Sequence, residues 1–158
     1  MTPIGAIEAS AFGQAMRGSA WLFPAVETVH LAGMAILVGS VAMLDLRLLG
    51  LSRALPVRRL AAHVLPWAAA SFLLIVPSGL AMFLARAGDL IASPVFAVKM
   101  CLIFAAGANA GIFLAGVFRH AAQWDVDVMP PLAARAAAAL SLALWISVIA
   151  CGRSLLHA

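Results

Sequence analysis

Residues 20–50 read AWLFPAVETVHLAGMAILVGSVAMLDLRLLG. Between residues 20 and 44 the main polar interruptions are Glu27, Thr28 and His30. A helix that crosses a hydrocarbon core of about 30 Å needs about 20 largely apolar residues, and this stretch supplies them. Three further runs follow. Residues 64–84 carry no charge, residues 94–118 carry one at Lys99, and residues 136–152 are bounded by Arg135 and Arg153. The runs are long and Ala/Leu-rich, and they lack the alternation of a barrel wall. They predict an all-α fold, a four-helix transmembrane bundle with helices at about 20–47, 60–86, 94–119 and 132–156.

Composition supports that solvent. The 158 residues are 65% hydrophobic and 10% charged, with mean hydropathy +1.09. Soluble domains average about 45–50% apolar and 25% charged residues, so a water-soluble enzyme is excluded. Two cysteines and this much apolar surface also exclude a disulfide-stapled module or a disordered chain. The formal charge of +4 would suggest nucleic acid in a soluble protein. Here the basic residues flank apolar runs, so the bilayer surface explains them and no nucleic-acid partner is expected.

The connections are short. Residues 47–59 hold Arg47, Arg53, Arg58 and Arg59; residues 86–89 read as barely a turn; Asp125, Asp127, Pro130 and Pro131 mark the last loop. That leaves a single integral membrane domain over residues 1–158. Loops one and three hold six basic residues (Arg47, Arg53, Arg58, Arg59, Arg119, Arg135) against Arg17, Arg86, Lys99 and Arg153 on the other side. The positive-inside rule then predicts a multi-pass protein of the bacterial inner (cytoplasmic) membrane with both termini periplasmic. Residues 1–19 carry Ile4, Ile7, Phe12 and Met16 among small and polar residues, which predicts a short amphipathic N-terminal interfacial helix. Trp21 is expected at headgroup level.

Ionisable residues inside a membrane are costly, so each is a candidate functional residue. Glu27 and His30 are three apart and share a helical face, on a stripe that also takes in Met34 and Asp45. Counted from Trp21 at ~1.5 Å per residue, Glu27 lies ~9 Å deep and His30 ~13 Å deep, and Lys99 lies ~8 Å beyond Pro94. These depths predict a Glu27–Lys99 ion pair, functional or simply architectural. Nearer the basic loops, His63 follows Arg59 by four residues and His120 follows Arg119, on a face shared with Asn109. Two imidazoles at matched depth beside arginines suit axial ligation of a b-type haem whose propionates pair with Arg59 or Arg119. A second haem would need His30 and His157, whose depths disagree.

Soft ligands offer another chemistry. Met82, Met100, Cys101 and Cys151 lie in the same half as His30 and Met34, and thioether, thiolate and imidazole suit copper(I). A Cys101–Cys151 disulfide is the minor alternative. Cys101 and Lys99 are about 200° apart on their helix, so both cannot face the interior. Gly107 and Gly111 have the spacing that permits close helix approach. Pro66 and Pro77 predict kinks that free backbone carbonyls in helix two. There is no H-E-x-x-H, phosphate loop, nucleotide fingerprint or C-x-x-C.

The first helix opens W-x-x-P-x-x-E-x-x-H-x-x-G at Trp21, Pro24, Glu27, His30 and Gly33, and closes L-D-L-R-L-L-G at residues 44–50. In this it resembles a bacterial family of uncharacterised four-helix inner-membrane proteins. The resemblance implies the fold and the membrane location and brings no activity with it. The third helix, from Lys99 to Asn109, is similar to the K…N helix of CopD-type copper-resistance membrane proteins. Those carry a Phe-His pair after the Asn, where this chain has Phe118-Arg119-His120.

The leading expectation is a small b-type cytochrome-like electron-transfer protein. Its haem b would be held by His63 and His120, with His30 as an outer ligand. Quinone or a periplasmic redox protein would be the partner. The alternatives are a copper-binding or transport component built on His30, Met34, Met82, Met100 and Cys151, and a non-catalytic subunit of a larger complex. Homo- or hetero-oligomers are compatible with each.

Overall fold

The computed structural model describes residues 9–155. Four helices are long and apolar enough to cross a membrane: α2 (Leu22–Leu48), α3 (Val57–Ala85), α5 (Pro94–Ala115) and α6 (Leu132–Leu155). At ~1.5 Å per residue each exceeds the ~30 Å of a hydrocarbon core. A short helix, α1 (Ala11–Gly18), precedes them, and α4 (Ala87–Ala92) and a 3₁₀ helix (Val117–Gln123) lie in the connections. Among the described residues there is no strand. The expected four-helix bundle with a short N-terminal helix is what the chain forms.

The exterior is apolar where lipid would lie. Leu73, Phe104, Ile112 and Ile146 stand out from the bundle, as does Trp21 at the head of α2. In a soluble protein such a surface would aggregate; in hydrocarbon it costs nothing. Spans alternate in direction, so α2 begins and α6 ends at one end, here the terminal end. Arg47, Arg53, Arg58 and Arg59 gather at the other, the arginine end.

Lateral order is not legible in the runs themselves. α2 packs along α3 and also against α6, whereas α5 makes its close backbone approach to α6 and not to α2 or α3. Gly33 explains the tightness of the first pair, because a Cβ there would stand 2.8 Å from Ile75 Cγ1 on α3. Two apolar clusters fill the interior. One, at the arginine end, joins Leu44, Leu48, Val64, Phe113, Trp124 and Ala138; the other, at mid-bundle, joins Leu37, Ala68, Ala106, Trp145 and Val148.

Several expected boundaries move for local reasons. The third span stops at Ala115, because Gly116 leaves helical geometry (φ −106°, ψ −87°) and a 3₁₀ turn follows. His120 therefore sits on that 3₁₀ helix and not on a span. Helix α3 begins at Val57 because a distant loop caps it: Val57 N–H donates to the Asp125 carbonyl and Arg58 N–H to Asp125 Oδ1, at 3.0 and 2.8 Å. Residues expected to make a turn after Arg86 instead form α4. Helix α1 is anchored to protein as well as amphipathic. Its Met16 is fully buried and its Arg17 donates to the Ala85 carbonyl at the end of α3. Ile4 and Ile7 lie outside the described residues.

Candidate functional site: two polar clusters inside the bundle

Near the terminal end, His30 of α2 packs onto α3. Its Nδ1 lies 3.2 Å from the Ile75 carbonyl and 3.0 Å from Ser78 Oγ. A carbonyl can only accept, so Nδ1 carries the proton; Ser78 in turn donates its own hydroxyl to the Leu74 and Ile75 carbonyls. In the neutral ring, Nε2 then holds the free lone pair. Gly79 makes the notch, since a Cβ there would come within 3.2 Å of His30 Cε1. Pro77 lies in the same turn, and a helix interior loosened by proline offers carbonyls to side-chain donors. The carbonyl whose helical donor Pro77 removes is that of Leu73, four residues back, so the Ile75 carbonyl bonds the imidazole for a separate reason, its position opposite His30.

Glu27 and Lys99 both lie within electrostatic reach of His30. They do not form the expected ion pair with each other; the ion pair among the described residues is Arg86–Asp89, at 3.5 Å. The helices of Glu27 and Lys99 are not lateral neighbours, since α5 approaches α6 and not α2. α5 lies against α6, and the Lys99 ammonium sits over Gly152 of that helix, 3.6 Å from where a Cβ would be, with Cys151 nearby. The soft-ligand set is dispersed in a similar way. Met34 and Met82 stand one turn from His30 and from Ser78, while Cys101 is exposed and both cysteines are free thiols. Met100 is partly buried. Among the described residues no three of His, Cys, Asp and Glu come together as a metal-binding group.

The expected inner haem ligands do not face one another across an interior slot. His63 and His120 are exposed, as are Arg59 and Arg119. Their neighbours Ala61, Val64 and Ala121 belong to the packed cluster that fills the bundle at that level. His157 lies outside the described residues. Gly107 and Gly111, expected to let a helix approach, are exposed, and a Cβ added at either would meet nothing within 4 Å.

The second cluster is one that sequence reasoning misses. Asp45, one turn before the end of α2, is 5% exposed, and its Oδ2 has no hydrogen-bond partner. It lines a cavity of about 60 Å³ together with Asn109 of α5 and Ser141 of α6. Asn109 Nδ2 donates to the Ala137 carbonyl at 3.0 Å. The available signal is that Glu27 and Asp45 are the two acids in the spans, and that Asp45 has no basic residue three or four positions away. Arg47, two residues on, points elsewhere, as i and i+2 must on a helix. It is 2% exposed and donates to three loop carbonyls: Nε to Leu55 at 2.7 Å, Nη2 to Arg53 and to Asp125, both at 3.0 Å. The two charges of the L-D-L-R sequence therefore have separate duties, one in the cavity and one as a clamp on the loops.

The profile of a family of unknown function, DUF6644, matches residues 8–157. The chain belongs to this family. The match takes in all four spans, so the residues of both polar clusters lie within the matched range. No curated protein and no solved structure matches the chain.

Proposed function

We propose that this protein exchanges protons within the bilayer, with His30 as its working group. The observation that carries the reading is the placement of that imidazole. Its Nδ1–H is held by the Ile75 carbonyl and Ser78, and an acid and a base, Glu27 and Lys99, act on it from two helices. An imidazole so held can take a proton at Nε2 and release one without losing its orientation. By the positive-inside rule the arginine end faces the cytoplasm and both termini face the periplasm, in a bacterial inner membrane.

The test is reconstitution in liposomes that enclose a pH-sensitive dye, driven by a potassium diffusion potential. Protein-dependent acidification is expected, falling at least tenfold in His30→Gln, which keeps a donor for Ile75 but has no titratable nitrogen. Equal flux in wild type and variant, or none above protein-free vesicles, would overturn the reading.

One observation favours a second reading. A ring nitrogen donating to a backbone carbonyl is also how ligating histidines are oriented, with the other nitrogen left for iron or copper. An electron-transfer role with haem b, or a copper role, would use His30 in this way, with quinone or a periplasmic protein as partner. The absorption spectrum and metal content of protein purified from haem- and copper-replete cells decide this: colourless, copper-free protein rejects both.

A further inference from the structure

We infer that the cavity between α2, α5 and α6 is a hydrated proton-binding site whose titrating group is the Asp45 carboxyl. The inference deepens the proton-exchange reading by naming a second station, near the arginine end, but stands on different residues. A carboxylate oxygen that is buried and unpartnered in a protein interior is a strongly unfavourable arrangement. It persists only if something occupies the space before it. The space is there: about 60 Å³ accommodates about two waters at the ~30 Å³ each takes in the liquid.

The polar groups around the space favour a donor as its occupant. Asn109 gives one of its two amide hydrogens to Ala137, which leaves the other hydrogen and its oxygen available. The Ser141 hydroxyl lies within hydrogen-bonding reach of Asp45. Asp45 Oδ2 is an acceptor with nothing to accept. Water satisfies all three, and a proton taken from hydronium neutralises the carboxylate, leaving water behind. Release runs the same exchange backwards.

No fixed cation does this job. α3 brings Leu65 to the cavity wall and α5 brings Asn109 and Phe113, while α6 brings Ala138 and Ser141. His63 on α3 and Arg135 on α6 are not among the lining residues, and Arg47 is engaged by the loop carbonyls. Asp45 is thus the one ionisable group on the wall, and its charge has to be balanced by something that can come and go.

Infrared difference spectra of the full-length protein in liposomes, recorded between acid and alkaline buffer in H2O and D2O, test this. The expected result is a protonated-carboxyl C=O band that appears on acidification, shifts in D2O, vanishes in Asp45→Asn and returns displaced in Asp45→Glu. Ser141→Ala should move the band without abolishing it. An unchanged band in Asp45→Asn, or an Asp45 band that does not respond to pH, would overturn the inference. So would suppression of the band by sodium at constant pH, which would make the site a metal-cation site instead. The band does not depend on flux. A titrating Asp45 beside normal flux in His30→Gln would sink the His30 reading and leave this one standing, and the converse result would do the opposite.

Discussion

Replacing Arg47 with Met should weaken the fold by about 2–4 kcal/mol, a figure that follows from counting what each partner loses. The guanidinium donates to the carbonyls of Leu55, Arg53 and Asp125. Two of these have a second donor, Asp127 N–H for Arg53 and Val57 N–H for Asp125. They are weakened but not orphaned. The Leu55 carbonyl has the shortest bond, 2.7 Å, and loses its partner outright. Hydrogen bonds from a charged donor are worth about 1.5–3 kcal/mol, and three sharing one guanidinium do not add fully. Methionine restores most of the aliphatic packing and removes the cost of burying a charge, which trims the total. Equilibrium unfolding in mixed detergent micelles, followed by tryptophan emission, reads the change well because Trp124 is buried in the adjacent cluster. Arg47→Lys should fall between, since one ammonium cannot span three carbonyls, and Arg58→Ala at an exposed site should be close to neutral. A loss below about 0.5 kcal/mol in Arg47→Met would refute the clamp.

Two further sites examine the packing. Asp125→Ala removes the acceptor for the Arg58 amide but leaves the main-chain bonds of that loop, so a loss of about 1 kcal/mol and faster hydrogen exchange at that amide are expected. Gly33→Ala pushes a methyl to 2.8 Å from Ile75 and should cost about 1–3 kcal/mol by forcing α2 from α3. Gly107→Ala, its control, meets nothing within 4 Å and should be neutral or stabilising by about 0.5–1 kcal/mol, as alanine is the better helix former. Equal effects at the two glycines, measured by the same unfolding assay, would contradict the helix order.

Much of the architecture is legible because the signal is local. Four runs of sufficient length and apolarity define spans whatever their neighbours, and the match between those runs and α2, α3, α5 and α6 reflects a solvent that accepts backbone only in helices. Local backbone chemistry already blurs the ends. Gly116 stops α5 early, and Asp125, far downstream in the chain, lets α3 start early. The candidate residues are legible only as a class. His30 stands out because a histidine in an apolar run needs a reason, and the structure supplies partners for it on α3.

What residues 20–50 and their three counterparts determined by themselves is the solvent, the number of crossings and the depth of each polar group, since these are sums along one chain axis. Which groups meet at a given depth was decided only by the tertiary packing. Glycines at 33 and 79 draw α2 onto α3, and α5 is left to α6, so Lys99 rests over Gly152 while Asp45, Asn109 and Ser141 converge on one cavity. Depth is set by the helical rise of each span alone, whereas lateral neighbours depend on the shapes of several helices at once, and no single run carries that information.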